Sequence, residues 1–198
     1  MLLQAASSIA VAAWPPPRKA ALRGCPPQPR RLQPSDMEAA GRQVERVASL
    51  ADEAATVALA RRIAGVARAG DVIALVGDLG VGKTRFARAF VDALTGEREE
   101  VPSPTFTLVQ TYESPAGPIW HFDLYRLERP DEAYELGLEE ALTDGIALIE
   151  WPERAAGLLP AQRLDLTLAF AAAPNARTAR LVGSGSWADR LTGLLPDG

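Results

Sequence analysis

The spacing of apolar residues changes several times along the chain, and each change predicts an element of secondary structure. Between Asp52, a residue type that often caps helices, and the break at Gly70, apolar side chains recur three and four residues apart, which predicts a helix. A short apolar run over residues 72–76 then leads into a glycine-rich turn. Helical spacing returns after the turn and continues to Gly96, so this part is predicted to be strand, glycine loop and helix.

Beyond Gly96 the apolar and polar positions alternate. Alternation over 105–113 and 118–125, with Ser-Pro-Ala-Gly at 114–117 suited to a type I turn, predicts a β-hairpin. An acidic helix capped by Asp131 and weakened at Gly137 follows. The remaining predicted elements are three strands and a closing helix, at 146–149, 163–171, 178–183 and 186–195.

Length and composition restrict the class of protein. The chain has 198 residues, enough for one ordinary α/β domain, and its 47% hydrophobic and 23% charged residues are typical of a soluble globular protein. No apolar run approaches the ~20 residues that a membrane-spanning helix needs. One cysteine and one histidine cannot form a disulfide framework or a Cys/His zinc cluster, and we expect a cytoplasmic protein without a membrane partner.

Charge and proline are unevenly distributed along the chain. Residues 1–36 contain five basic residues, one acid and seven of the 16 prolines, with no periodic apolar face, which predicts a disordered N-terminal extension. An upstream tail or an early start before Met37 is the favoured interpretation, and an organellar targeting peptide is the alternative. Residues 37–198 are predicted to be a single domain with a formal net charge of −8, so any contact with nucleic acid is expected to go through a partner.

The glycine-rich turn carries the clearest chemical signature. Residues 77–84, Gly-Asp-Leu-Gly-Val-Gly-Lys-Thr, match the phosphate-binding pattern G-x-x-x-x-G-K-[ST], between the strand and the helix that the motif requires. The glycines allow backbone N–H groups to face phosphate oxygens, and the helix adds its positive dipole end. Lys83 is predicted to contact the β- and γ-phosphates, and the Thr84 hydroxyl to bind Mg²⁺. The predicted nucleotide-binding residues of the loop are Gly77, Asp78, Leu79, Gly80, Val81, Gly82, Lys83 and Thr84.

A loop of this kind needs a carboxylate at the end of a buried strand to hold the magnesium, and Asp123 and Glu150 are the candidates. The uninterrupted apolar run before Glu150 is typical of a strand buried on both faces and favours Glu150. Asp123 ends an alternating strand, where the simplest interpretation is a carboxylate facing water. His121 is interpreted as a strand histidine bonded to a neighbour, because a metal site centred on it would lack other His or Cys ligands.

Five segments of the chain resemble the bacterial TsaE family of small P-loop ATPases. They are, in order, GDLGVGKT, SPTFTLVQTY, HFDLYRL, LGLEE and IEWPE, and the likeness extends from about Asp52 to Leu159. Residues 1–36 have no counterpart in the family pattern, and residues after 160 match it loosely. The resemblance implies an α/β fold, a P-loop NTPase-like three-layer sandwich whose mixed parallel and antiparallel sheet has a β-hairpin after the P-loop helix.

The resemblance also implies roles for single residues. Thr84 and Glu150 would hold Mg²⁺, and Asp123 would be a water-orienting or outer-shell carboxylate, so that Lys83, Asp123 and Glu150 make up the expected catalytic set. Other implied contacts lie around the nucleotide. They are a switch-like loop at 103–106 with Thr105 near the γ-phosphate, Trp151 beside the nucleotide, and Glu53 and Thr56 near the adenine. Arg126 is either a charge-stabilising arginine at the γ-phosphate or part of a surface ion pair.

The function implied by the resemblance is that of an accessory ATPase for the threonylcarbamoyladenosine (t6A) modification of tRNA. Such a protein binds ATP with Mg²⁺, hydrolyses it slowly and acts on a complex of TsaB- and TsaD-like proteins, which perform the transfer, so tRNA is contacted only indirectly. Two alternatives share the loop: a kinase for a small molecule or nucleotide, and a nucleotide-gated binding module without hydrolysis. The kinase is less favoured because the sequence has no evident Arg-rich lid.

Overall fold

The computed structural model describes residues 42–96, 104, 107–155 and 157–195. Strands and helices alternate through most of this part of the chain. The strands are β1 (Gln43–Leu50), β2 (Val72–Val76), β3 (Val109–Tyr112), β4 (Ile119–Asp123), β5 (Ile146–Glu150), β6 (Leu164–Phe170) and β7 (Arg177–Ser184). The helices are α1 (Glu53–Ala64), α2 (Lys83–Thr95), α3 (Glu132–Glu135), α4 (Leu138–Asp144) and α5 (Ser186–Leu194), and Pro152–Ala155 is a 3₁₀ turn. None of these helices is long and apolar enough to cross a membrane.

The strands of the described residues form one seven-stranded sheet in the order β1-β7-β6-β2-β5-β4-β3. The four central strands, β6, β2, β5 and β4, run parallel to one another. The outer strands β7, β1 and β3 are antiparallel to their neighbours. The mixed sheet expected from the sequence is therefore confirmed. Because parallel strands end at the same edge of a sheet, the loop after β2 and the acids that end β4 and β5 come together there.

Apolar clusters cover both faces of the sheet and give the fold three layers. On one face, Phe86 and Phe90 of α2 and Trp187 of α5 pack with residues of α1 and the central strands. On the other face, Phe122 of β4 packs with Leu138 of α4 and with residues of α3. All five side chains are at most 1% exposed, so burial of apolar surface on both sides holds the sheet between its helices.

Most predicted elements are confirmed, with shifted ends. Asp52 caps α1 as expected, because its Oδ1 accepts a hydrogen bond of 2.8 Å from the Ala55 N–H. The helix ends at Ala64, earlier than the predicted break, and the chain continues in turns that bond back three residues. The acidic helix is two short helices, separated at Gly137, whose φ is +85°. Asp131 is the N-cap residue of α3, as predicted, but its side chain makes no capping hydrogen bond.

The β-hairpin forms, but its second strand is not a half-exposed one. β3 and β4 pair antiparallel, and the Gly117 N–H donates to the Ser114 carbonyl across the predicted turn. β4 also pairs in parallel with β5, which places it inside the sheet with a helical layer on each face. His121 and Asp123 are consequently 0% and 4% exposed. The interpretation of Asp123 as a water-facing carboxylate is wrong.

Strand β1 was not predicted, because its side chains obscure the alternation that marks a strand. Arg46 occupies an inward position, where its Nε donates to the Leu195 carbonyl at 2.7 Å. Val47 points outward and is 64% exposed. A polar residue on the inner face and an apolar one on the outer face reverse the pattern at the middle of the strand.

Candidate functional site

The glycine loop joins β2 to α2 and has the backbone that its sequence requires. Gly77, Gly80 and Gly82 have φ values of +139°, +77° and +117°, a region that favours glycine. A Cβ at Gly77 would also collide with the carbonyl oxygen of Leu168. Gly82 is the N-cap of α2, so unpaired N–H groups and the positive end of the helix dipole face the loop. Such a loop favours an anion with several oxygens, as a phosphate chain has.

Lys83, the first residue of α2, is held against the loop. Its ammonium donates to the carbonyls of Gly77 at 2.6 Å and Asp78 at 3.0 Å, and Nζ lies 3.8 Å from the centroid of the Trp151 ring. Burial lowers the pKa of Lys83, and the surrounding carboxylates, Glu150 foremost, oppose that shift. A buried cation fixed at the mouth of an anion-binding loop is suited to bind phosphate oxygens.

Glu150, at the end of β5, is bonded through both of its carboxylate oxygens. Oε2 accepts from the Thr84 hydroxyl at 2.9 Å, and Oε1 lies 2.9 Å from His121 Nε2. The Glu150 side chain is 2% exposed. In P-loop proteins an acid at this position holds magnesium together with the hydroxyl of the loop, so the pair Thr84 and Glu150 has the expected arrangement.

Asp123 stands directly beside Glu150, because the two residues are register partners on the parallel strands β4 and β5. Its Oδ1 accepts from the Tyr125 N–H at 3.2 Å, and its own N–H donates to the Leu108 carbonyl at 3.0 Å. Asp123 also lines the same 190 Å³ cavity as Glu150 and the glycine loop. The structure thus brings together Glu150, which the sequence pattern favours as the metal-binding carboxylate, and Asp123, the other candidate.

A second, larger cavity also borders the glycine loop. It has a volume of 480 Å³ and is lined in part by Thr56, Glu53, Asn175 and Arg177. The family resemblance implies that Glu53 and Thr56 lie near the adenine. The sequence pattern missed Asn175 and Arg177, which belong to the turn after β6 and to β7. Arg177 reaches the loop, because its Nε donates to the Val81 carbonyl at 2.9 Å. No local pattern marks these two residues, since they approach the loop only through the folding of the sheet.

The donor set at the end of β5 fits a small hard cation. In the described ranges no group of three or more His, Cys, Asp or Glu residues is arranged to hold a metal ion. The Thr84 hydroxyl and the Glu150 carboxylate are nevertheless oxygen donors within hydrogen-bond distance of each other. Magnesium is typically bound by one or two protein oxygens, with water and phosphate oxygens completing its octahedron. The residues present therefore fit Mg²⁺ bound together with a nucleotide.

The remaining predicted site residues lie at the smaller cavity, on the surface, or outside the described residues. Trp151 has φ +59° and lines the smaller cavity, and Leu79 at the tip of the loop is 74% exposed. Arg126 is exposed in the segment after β4. Thr105 and most of the predicted switch-like loop at 103–106 lie outside the described residues, so their roles stay predictions.

A glycine loop joins β2 to α2, and a buried acid ends the adjacent strand β5. These two features together define the P-loop class of α/β proteins. Residues 50–179 match the family model described as threonylcarbamoyl adenosine biosynthesis protein TsaE, which is more than half of the chain. The chain belongs to the TsaE family.

Known proteins from several bacteria are similar to the chain. A protein of Rickettsia bellii named tRNA threonylcarbamoyladenosine biosynthesis protein TsaE is 45% identical over 119 residues, which are 60% of this chain and 83% of that protein. A Bacillus subtilis protein of the same name is 41% identical over 114 residues, or 57% of this chain and 70% of that one. The crystal structure of Bacillus subtilis YdiB superposes with a TM-score of 0.61 and 28% identity, covering 77% of this chain and 94% of that chain.

Proposed function

We propose that this protein binds ATP with Mg²⁺ at the glycine loop, hydrolyses ATP slowly, and thereby supports the t6A modification of tRNA by a complex of TsaB- and TsaD-like proteins. The observation that carries the proposal is the meeting of Lys83, Thr84, Asp123 and Glu150 at one 190 Å³ cavity. The names of the Rickettsia bellii and Bacillus subtilis relatives support the assignment to tRNA modification. A cytoplasmic location is part of the proposal.

In this proposal the ammonium group of Lys83 and the backbone of the glycine loop bind the phosphate chain. Lys83 and the N–H groups at the start of α2 hold the β- and γ-phosphate oxygens, and Thr84 and Glu150 hold Mg²⁺. When bound, the metal neutralises the negative charge of the phosphates. The 480 Å³ cavity next to the loop, near Thr56 and Asn175, is large enough for the nucleoside part.

Asp123 is proposed to orient the water that attacks the γ-phosphate. Its carboxylate is almost fully buried, is fixed by the Tyr125 N–H, and lines the cavity that also holds Lys83. A carboxylate in this place accepts a hydrogen bond from water and keeps a lone pair of its oxygen directed at the phosphorus. Hydrolysis is expected to be slow in the free protein, since partner proteins control the reaction in this proposal.

The acidic surface supports an indirect relation to tRNA. Residues 37–198 carry a formal net charge of −8, which repels a phosphate backbone unless a basic partner lies between. The threonylcarbamoyl transfer and the binding of tRNA are therefore assigned to the partners. The role of this chain is to use ATP to reset the complex between rounds.

Reconstitution of t6A from purified components tests the proposal. With TsaB- and TsaD-like partners, tRNA and activated threonylcarbamoyl donor, we expect multiple turnovers only when this protein and ATP are both present. A non-hydrolysable ATP analogue should restrict the reaction to about one round, because the reset is tied to hydrolysis. Equal t6A yields with and without the protein would contradict the proposal, and stoichiometric phosphorylation of an added metabolite would favour the kinase alternative.

Replacement of Asp123 with asparagine separates hydrolysis from binding. We expect the ATPase rate to fall about 100-fold or more, because a neutral amide orients the attacking water less well than a carboxylate does, while the affinity for MgATP stays within a few-fold. Single-turnover hydrolysis and equilibrium binding measure the two quantities. Asp144→Asn, at the exposed end of α4, is the matched control and should change neither. If Asp123→Asn weakened binding as much as hydrolysis, Asp123 would have a structural role instead.

A further inference from the structure

The only histidine of the chain lies inside the sheet, close to the proposed magnesium site. His121 belongs to β4, is 0% exposed, and lies on the same face as Asp123, because side chains two residues apart on a strand share a face. The parallel pairing of β4 with β5 brings this face next to Glu150. His121 Nε2 lies 2.9 Å from Glu150 Oε1. Since a carboxylate can only accept, the imidazole N–H donates this bond.

The imidazole makes this bond at a cost. Nδ1, the second ring nitrogen, is buried and has no hydrogen-bond partner among the described residues. A buried polar atom without a partner is unfavourable, and an apolar side chain of similar size would avoid that cost. The hydrogen bond to Glu150 offsets part of this cost. The hydrogen bond that His121 donates to the Glu150 carboxylate therefore explains why a histidine occupies this buried position.

The two oxygens of Glu150 are held by residues of two different elements. Thr84 Oγ1, from α2, donates to Oε2, while His121, from β4, donates to Oε1. Thr84 is itself a proposed metal ligand, so its hydrogen bond to the Glu150 carboxylate is part of the proposed magnesium site. The bond from His121 comes from a residue of the sheet and fixes the rotation of the carboxylate independently of Thr84.

We propose that His121 is a positioning residue for the magnesium site, which holds Glu150 in the orientation that binds the metal. This inference rests on the proposed binding of MgATP. Groups that orient metal ligands are typically worth 10- to 100-fold in metal affinity. The bond also ties the hairpin strand β4 to the end of β5, so one strand carries both Asp123 and the group that orients Glu150.

The test compares nucleotide binding with and without magnesium, measured with a fluorescent ADP analogue. For His121→Leu we expect the Mg²⁺ concentration at half effect to rise about 10- to 100-fold, because Glu150 loses its orienting bond. In EDTA the affinity for the analogue should stay within about twofold of wild type, since the loop itself is unchanged. A role in packing alone predicts the opposite, an equal loss of affinity in both conditions.

Conservative variants keep the test informative even if His121→Leu fails to fold. The amide nitrogen of Gln is as many bonds from Cα as Nε2 of His, so His121→Gln retains the donor and should remain near wild type. Asn is one bond shorter and places its amide at the position of Nδ1, so His121→Asn should behave like Leu. Equal magnesium responses of the Gln and Asn variants would overturn the inference.

Phe122→Leu is the matched control for loss of stability. Phe122 is the next residue of β4, is buried on the opposite face and belongs to the cluster with α4. We expect this variant to lower the melting temperature without changing the magnesium response.

Wild-type protein that binds the analogue equally in EDTA and in magnesium would overturn the proposed function, and the inference with it. If magnesium changes analogue binding in the wild type, and His121→Leu and His121→Asn respond to magnesium in the same way, the inference is overturned but the proposed function is not.

Discussion

Replacement of Lys83 with alanine is expected to lower the ATPase rate by about two to three orders of magnitude, the loss typical when one preorganised group that binds the reacting oxygens is removed. Lys83 is 4% exposed and already lies against the loop, with Nζ on the carbonyls of Gly77 and Asp78. A side chain fixed in this way needs little reorganisation to bind phosphate oxygens. The loss should therefore be found both in the affinity for ATP and in the rate of hydrolysis.

In cells that depend on this copy of the gene, Lys83→Ala should abolish t6A in tRNA, measured by mass spectrometry of digested nucleosides. Arg61→Ala, an exposed cation on α1, is the matched control and should leave t6A at the wild-type level. Lys83→Arg retains the charge but not the compact ammonium, and should recover only part of the activity. Normal t6A in the Lys83→Ala strain would show that the nucleotide site is not needed for the modification.

Replacement of Asp71 with alanine is expected to cost about 3–5 kcal/mol of unfolding free energy, because it leaves a nearly buried guanidinium without its carboxylate. Asp71 precedes β2 and forms a two-pronged ion pair with Arg190 of α5, with N–O distances of 2.6 and 2.7 Å. The two side chains are 9% and 11% exposed. Arg190 also stacks over the ring of Trp187, so the pair anchors the closing helix to the start of the central strand.

Urea unfolding of Asp71→Ala measures this cost as a lower midpoint with an unchanged slope. The double variant Asp71→Leu with Arg190→Met removes both charges and should recover a large part of the stability, since replacement of a whole buried pair is often nearly neutral. Folded Asp71→Ala should still bind nucleotide, because Asp71 lies at the end of β2 opposite the glycine loop. A loss below about 1 kcal/mol would mean that the pair behaves as an exposed one.

His121, Asp123 and Glu150 show why a sequence pattern predicts a functional site only in part. Alternation in residues 118–125 correctly predicted a strand, but the same alternation is compatible with an outer strand or a central one. The strand is central, and therefore His121 and Asp123 are buried beside Glu150. The sequence pattern favours Glu150 over Asp123 as the metal-binding carboxylate, and the register places both acids at the same edge of the sheet.

The sequence by itself determined the phosphate loop, the strand before it and the helix after it, because the chemistry of that loop is contained in eight consecutive residues. It also determined the end of β5 at Glu150, since a run of apolar residues needs no partner to be recognised. Only the tertiary structure decided the strand order, the pairing of Asp123 with Glu150, the bond from His121 and the approach of Arg177 to the loop. These contacts join residues far apart in the chain, and the packing of both faces of the sheet selects them.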